Sequence, residues 1–153
     1  MSRYMNYDYV PVIYRKYLVD TCAQFGVPVK LMADLIMKES RWNPKTKSIN
    51  YTSKGHVASY DCGLVQLNSQ YIEKDFKNKF NDGKKIDPFD PYTSIRIGVR
   101  HLRWAYDLTS KWEDAILVYN GGYTRWKEKR VPASTYKYLR DIIPQEGMYD
   151  FKG

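Results

Sequence analysis

The chain has 153 residues, the length of one ordinary domain and too short for two. Its 43% hydrophobic and 27% charged residues supply a core and exclude a disordered chain, and its longest uncharged apolar stretch, Tyr9 to Tyr14, excludes a membrane span of ~20 residues. The formal charge of +8 suits an anionic partner such as a wall polymer, a membrane surface or nucleic acid, and charge alone does not choose among them. Pro11 within the apolar stretch and Arg15 just after it argue against a secretory signal.

The first nine residues carry no period and read as a tail. Pro11 suits a helix start, and a helical pattern runs from it to Phe25 and stops at Gly26. Val27-Pro28 restarts a helix with Leu31, Leu35 and Ile36 on one face; Lys38 to Ser40 end it before Trp42-Asn43-Pro44. Residues 43–61 are polar and read as a loop or small β-hairpin, the only strand signal in the chain. Residues 63–80 read as helical in two pieces, with Leu64 and Leu67 apolar. Gly83, Pro88 and Pro91 mark a connection.

The clearest helix spans 92–108, with Ile95, Val99, Leu102 and Tyr106 at spacings of three and four. A further helix covers 111–119 and ends at Asn120-Gly121-Gly122. The last covers 132–143, with Tyr138, Leu139, Ile142 and Ile143 inward. The fold class expected is mainly α with one small β excursion, a single domain over 1–153.

Cys22 and Cys62 lack metal-type spacing; the reading is a reduced buried pair, with a disulfide as the alternative. Fifteen Tyr, five Phe and four Trp read either as half-buried packing or as a groove in which rings stack on sugars or bases. His56 lies in a polar segment and reads as a bystander; His101, between Arg100 and Arg103, reads as a surface or packing residue. Lys84-Lys85 and residues 127–130 read as solvated faces. No His/Cys/Asp/Glu grouping has metal-ligand spacing, and no metal or cofactor is expected.

Glu39 is the chemical candidate. A carboxyl group at a helix C-terminus faces the negative end of the dipole, and nearby rings desolvate it; both raise its pKa, as a general acid needs. It opens the first of four motifs in order: Glu39-Ser40-Arg41-Trp42-Asn43-Pro44, Gly63-Leu64-Val65-Gln66, Tyr119-Asn120-Gly121-Gly122 with Tyr123, and Thr135 with Tyr138. Over about residues 20–143 this set resembles the lytic transglycosylases of the lysozyme-like superfamily, whose pattern is Glu-Ser-x-x-Asn-Pro, Gly-Leu-Met-Gln, Tyr-Asn-Ala-Gly and Thr-x-x-Tyr. Val65 departs from it by replacing the Met.

The resemblance implies an α+β lysozyme-like fold around a glycan groove. It implies cleavage of the MurNAc-β-1,4-GlcNAc bond of peptidoglycan with a 1,6-anhydromuramic product, and Glu39 as acid and then base. Gln66 and Asn120 would bond the sugar, Tyr138 would hold Glu39, and Ser40, Tyr119 and Tyr123 would complete the substrate side. Ser59-Tyr60-Asp61-Cys62-Gly63 is also similar to the Ser-Thr-Asp-Tyr-Gly of animal-type lysozymes. Asp61 therefore has two readings, a loop acid capping a helix that opens near Gly63 and a second catalytic carboxylate.

The rivals to a transglycosylase are a hydrolytic muramidase using Glu39 and Asp61, an inactive glycan-binding module, and a nucleic-acid binder supported only by charge. The expected partner is the peptidoglycan strand, met by a monomer with no nucleic acid and no membrane span. The place of action is the bacterial cell wall, reached as a phage lysin, a virion component or a processed form.

Overall fold

The structure is a computed structural model, described over residues 8–143. Helix α1 (Val12–Phe25) follows Pro11 and ends at Gly26, whose left-handed φ of 68° lets its N–H reach the Cys22 carbonyl. Pro28 then opens α2 (Val29–Ser40), in which Leu31, Met32, Leu35 and Ile36 are wholly buried. Of the expected tail, residues 1–7 lie outside the described residues. Asp8 and Tyr9 do not behave as one: the Asp8 carbonyl accepts from Arg15 at 2.9 Å, and the Tyr9 hydroxyl donates to Asp34.

Three antiparallel strands follow in the order β1 (Lys47–Tyr51), β2 (Val57–Cys62) and β3 (Leu67–Asn68). Asp61 pairs with Ser48 on one side and Asn68 on the other, and the β1–β2 register shifts at Asn50/Tyr51. A π-helical turn (Ile72–Phe76) runs into the short α3 (Lys77–Phe80). Then come α4 (Pro91–Thr109), α5 (Trp112–Gly121), α6 (Tyr123–Lys127) and α7 (Ala133–Ile142). Asp90 caps α4 by accepting from the Thr93 N–H, and Ile95, Val99 and Leu102 enter the core as their spacing requires. The fold is the expected α+β lysozyme-like class, helices around one small sheet.

Three boundaries differ from the sequence reading. Residues 63–68 are not helical: Gly63 and Gln66 both have positive φ, which no helix admits, and Leu67 sits in β3. The Leu64/Leu67 spacing that mimics a helix arises because both side chains fill the core from a turn and a strand. Helix α5 continues through Asn120-Gly121 and stops at Gly122, and α6 had no periodic signal because five residues are too few to show one. The cysteines are free and buried, and desolvation pushes the Cys22 thiol up to about 12.

Gly63 ties the sheet to the helical layer. A Cβ there would lie 1.8 Å from the Pro88 carbonyl oxygen, and its φ of 82° is strained for any L side chain. Gly63→Ala is expected to destabilise the protein by about 3 kcal/mol or more, read by urea unfolding. An alanine variant as stable as the parent would refute this close approach.

Candidate functional site

Glu39 stands one residue before the end of α2, and the chain beyond it turns sharply. Arg41 and Trp42 take consecutive left-handed conformations, φ 54° and 62°, rare for non-glycine residues and costing of order 1–3 kcal/mol each. The Trp42 side chain offsets that cost. It is buried, its Nε1–H donates to the Ala33 carbonyl at 3.2 Å, and its ring lies nearly parallel to Tyr14 at 6.1 Å. Asn43 then fixes the exit, its side-chain oxygen accepting from the Lys45 N–H at 3.0 Å. The Glu-Ser-x-x-Asn-Pro segment is thus a helix stop that leaves the Glu39 carboxyl on the wall of a groove of about 900 Å³.

From α7, the Tyr138 hydroxyl donates to Glu39 Oε2 at 2.8 Å. Burial raises the Glu39 pKa from 4.5 to about 7; the Tyr138 hydrogen bond opposes this, the charge of Asp61 adds to it, and Lys38 opposes it. Lys38 is itself engaged by Asp141 at 2.8 Å. Burial and, after it, the charge of Glu39 push the Tyr119 and Tyr138 phenols well above their ordinary range, so both face Glu39 as neutral groups.

Across the groove is β2. Asp61 accepts from Asn50 Nδ2 on one oxygen and from Asn68 Nδ2 on the other, both at 2.9 Å. No helix opens at Gly63, so the capping reading of Asp61 is corrected: it is a strand residue lining the same groove as Glu39. Gln66 lines the groove too, but its amide is spent on the fold. Nε2 donates to the Thr46 and Gly63 carbonyls at 3.1 and 2.9 Å, and Oε1 accepts from Ser48 at 2.7 Å. Both of its donors are therefore used to brace the turn before β3 rather than offered to a sugar.

Asn120, Tyr119 and Tyr123 line the groove from α5 and α6. Thr135 donates to Asn120 Oδ1 at 2.8 Å, which orients the amide and leaves Nδ2 as its donor. Ser40 does not join them: it is buried, and its hydroxyl donates back to the Ile36 carbonyl at 3.3 Å. One residue on from Glu39, it is turned about 100° around the helix end and faces the core.

An aromatic region was missed by the sequence reading. His101 packs its ring 4.4 Å from that of Tyr119 and 5.1–5.8 Å from those of Phe76, Phe80 and Trp104, and it lines the groove. Burial pulls its pKa down to about 4, so it is a neutral ring in this wall. The signal available was the i, i+3 pair His101/Trp104 on the best helix, masked by flanking arginines. His56 is exposed on the β1–β2 turn. Among the described residues no group of three or more His, Cys, Asp or Glu is placed to hold a metal ion.

A groove walled by one proton-holding glutamate, an opposed small sheet and an aromatic flank defines a lysozyme-like domain. The family model for the transglycosylase SLT domain matches residues 17–141, and the chain belongs to that family. Among solved structures it is similar to the 70 kDa soluble lytic transglycosylase of Escherichia coli, at 20% identity and TM-score 0.67 over 87% of this chain and 23% of that one. It is likewise similar to an inactive glutamate-to-glutamine mutant of lytic transglycosylase Slt from Pseudomonas aeruginosa, at 19% identity and TM-score 0.63 with the same coverage. This chain therefore spans about a quarter of the length of the solved proteins it resembles. No curated protein matches it in sequence. No helix among the described residues is long and apolar enough to cross a membrane.

The raised pKa has a stability consequence. Glu39 binds its proton more tightly folded than unfolded, so its contribution is full below pH 4.5 and is lost as pH rises to about 7. Glu39→Gln carries no such loss. The variant is expected to match the parent at pH 4 and to exceed it at pH 8 by about 3 kcal/mol, measured by chemical unfolding at both pH values. Equal stability at pH 8 would refute a desolvated Glu39.

Proposed function

We propose that this chain is a peptidoglycan lytic transglycosylase that breaks the MurNAc-β-1,4-GlcNAc bond and closes a 1,6-anhydro ring on the muramic residue. The observation that carries the reading is the carboxyl of Glu39, holding its proton up to about pH 7 on the wall of an open groove and steadied by Tyr138. Membership of the SLT family supports it. So does the inactivity of the Pseudomonas aeruginosa relative with a glutamate replaced by glutamine.

In the reaction, the bond from the muramic C1 to the bridging oxygen breaks, and its electron pair goes to that oxygen, which takes the Glu39 proton. The substrate's C6 oxygen then forms the new bond to C1, and the C6 hydroxyl proton passes to Glu39, restoring it. Donor and acceptor are the same carboxyl group, so no water is consumed. Asn120 and Tyr123 bind the strand along the groove, and Tyr119 and Tyr138 keep the acid oriented and dry. The +8 charge draws a monomeric catalytic domain to the anionic bacterial wall.

Glu39→Gln is expected to lower lysis of a peptidoglycan suspension by ~10²–10⁴-fold with the circular dichroism unchanged. More than a tenth of the parent rate would end the assignment. For the parent, the rate should fall as pH rises through about 7, where Glu39 loses its proton. Mass spectrometry should find muropeptides with anhydro ends; reducing ends, heavier by one water, would make the enzyme a hydrolase. Lysis should also weaken between 0.1 and 1 M salt, as the screening length shrinks from ~10 to ~3 Å; a flat profile would remove the charge from the account.

A further inference from the structure

The three-stranded sheet has two unlike faces. On one, the Asn50 and Asn68 amides donate to Ser59 and Asp61, and the group lines the groove. The other face carries the side chains that alternate with these: Lys47, Ile49 and Tyr51 of β1 and Tyr60 of β2. Val57 joins them, because the register shift at Asn50/Tyr51 sets it opposite Tyr51. The apolar members are open to solvent: Ile49 is 45% exposed, Val57 51% and Tyr51 61%, and none of the three joins the core. Every position from 51 to 58 is exposed, so no other part of the described chain covers this end of the hairpin. Lys45 precedes β1, Lys47 opens it and Lys54 sits in the turn, all three exposed. The Lys47 ammonium lies 4.1 Å from the centre of the Tyr60 ring. Among the described residues none of the three lysines pairs with an acid, and the sequence from Asn43 to Tyr60 contains no Asp or Glu.

We propose that this outer face of the β1–β2 hairpin rests on an anionic lipid bilayer, with Ile49, Tyr51 and Val57 entering the headgroup boundary while Lys45, Lys47 and Lys54 meet lipid phosphates. The side chains fit that interface on both counts. Apolar groups gain free energy on leaving water for the acyl boundary, and tyrosine, apolar in body and polar at its tip, settles at that depth. Lysine lays its stem along apolar surface while its ammonium stays wet. An anionic leaflet attracts each lysine, and no acid between 43 and 60 opposes it. A soluble polyanion would satisfy the lysines and leave the apolar trio in water; a wholly apolar partner would bury the trio and strip the lysines of hydration. The contact is peripheral and spans nothing. Because the groove occupies the opposite face of the same sheet, a domain seated this way turns the groove away from lipid and toward the polymer that overlies it. The +8 charge attracts without orienting; the hairpin supplies the orientation.

The test is co-sedimentation of the full chain with vesicles in about 0.1 M salt, phosphatidylcholine alone against phosphatidylcholine with about a quarter phosphatidylglycerol. The parent should bind the mixed vesicles and hold the neutral ones about tenfold more weakly or less. Ile49→Thr/Tyr51→Thr/Val57→Thr keeps strand-forming residues and the charge, and should lower binding to the mixed vesicles about tenfold. Val57→Thr alone preserves shape, should cost about threefold, and carries the test if circular dichroism shows the triple variant unfolded. Lys45→Gln/Lys47→Gln/Lys54→Gln should cost about fivefold per lysine, on the order of a hundredfold together. Lys84→Gln/Lys85→Gln/Lys111→Gln removes the same charge elsewhere and should cost about tenfold less than the hairpin set. Unchanged vesicle binding in the folded threonine variants would overturn the proposal. Equal losses in the two glutamine sets would overturn it by reducing the attraction to net charge. A parent held by soluble polyphosphate but not by the mixed vesicles would overturn it in favour of a polymer partner. The assay needs no turnover, so its failure leaves the glycan-cleaving reading of Glu39 standing, and a vesicle-binding chain that cleaves no glycan would leave the hairpin proposal standing.

Discussion

The hydrogen bond from Tyr138 to Glu39 joins residues 99 positions apart in sequence and closes the helical layer over the groove wall. It opposes the effect of burial, since a phenol donating to a carboxylate favours the charged form; burial outweighs it, and the acid keeps its proton to about pH 7. This balance depends on the rest of the fold. α2 must be central enough to desolvate its own end, α7 must be packed closely enough for Tyr138 to reach, and α5 must set Tyr119 against the same carboxyl group. Each helix therefore serves a proton affinity as well as a core. Neutral phenols suit this work better than cations, because a lysine at either position would restore the carboxylate to its ordinary range.

Much of what the motif residues do is structural. Arg41 and Trp42 break α2 abruptly through a paired left-handed turn, and only the buried indole makes that turn tolerable. Gln66 has positive φ and all but one lone pair of its amide engaged, by Gly63 in its own turn and by Thr46 and Ser48 from the segment that enters β1. Gly63 admits the Pro88 carbonyl where any side chain would collide. The chemistry needs few atoms, but those atoms are held by turns that few residue types can make.

That division explains what the sequence made legible. The stops of α1 at Gly26 and α2 before Pro44, and the inward face of α4, rest on local rules of capping and period, and they stand where those rules put them. The prospect of a desolvated acid at the end of α2 was readable for the same reason: apolar periodicity and the helix end are both local. Residues 63–68 were not readable, because Leu64 and Leu67 have a helix's spacing while the dihedrals of Gly63 and Gln66 answer to Pro88 and Thr46, far away in sequence. The cradle of Asp61 was invisible because Asn50, Ser59 and Asn68 meet only through strand register. His101 was obscured by two flanking arginines that lie on other faces of its helix.

The two thiols lead in another direction. Cys22 is wholly inaccessible and Cys62 nearly so, and burial raises the pKa of both, so neither presents a nucleophilic thiolate at neutral pH. A cysteine introduced on an exposed face would then be the only reactive sulfur among the described residues. The native chain is in that sense already a blank background for single-site chemistry: a fluorophore, a spin label or a surface tether can be attached at a chosen point without first removing the cysteines that help fill its core.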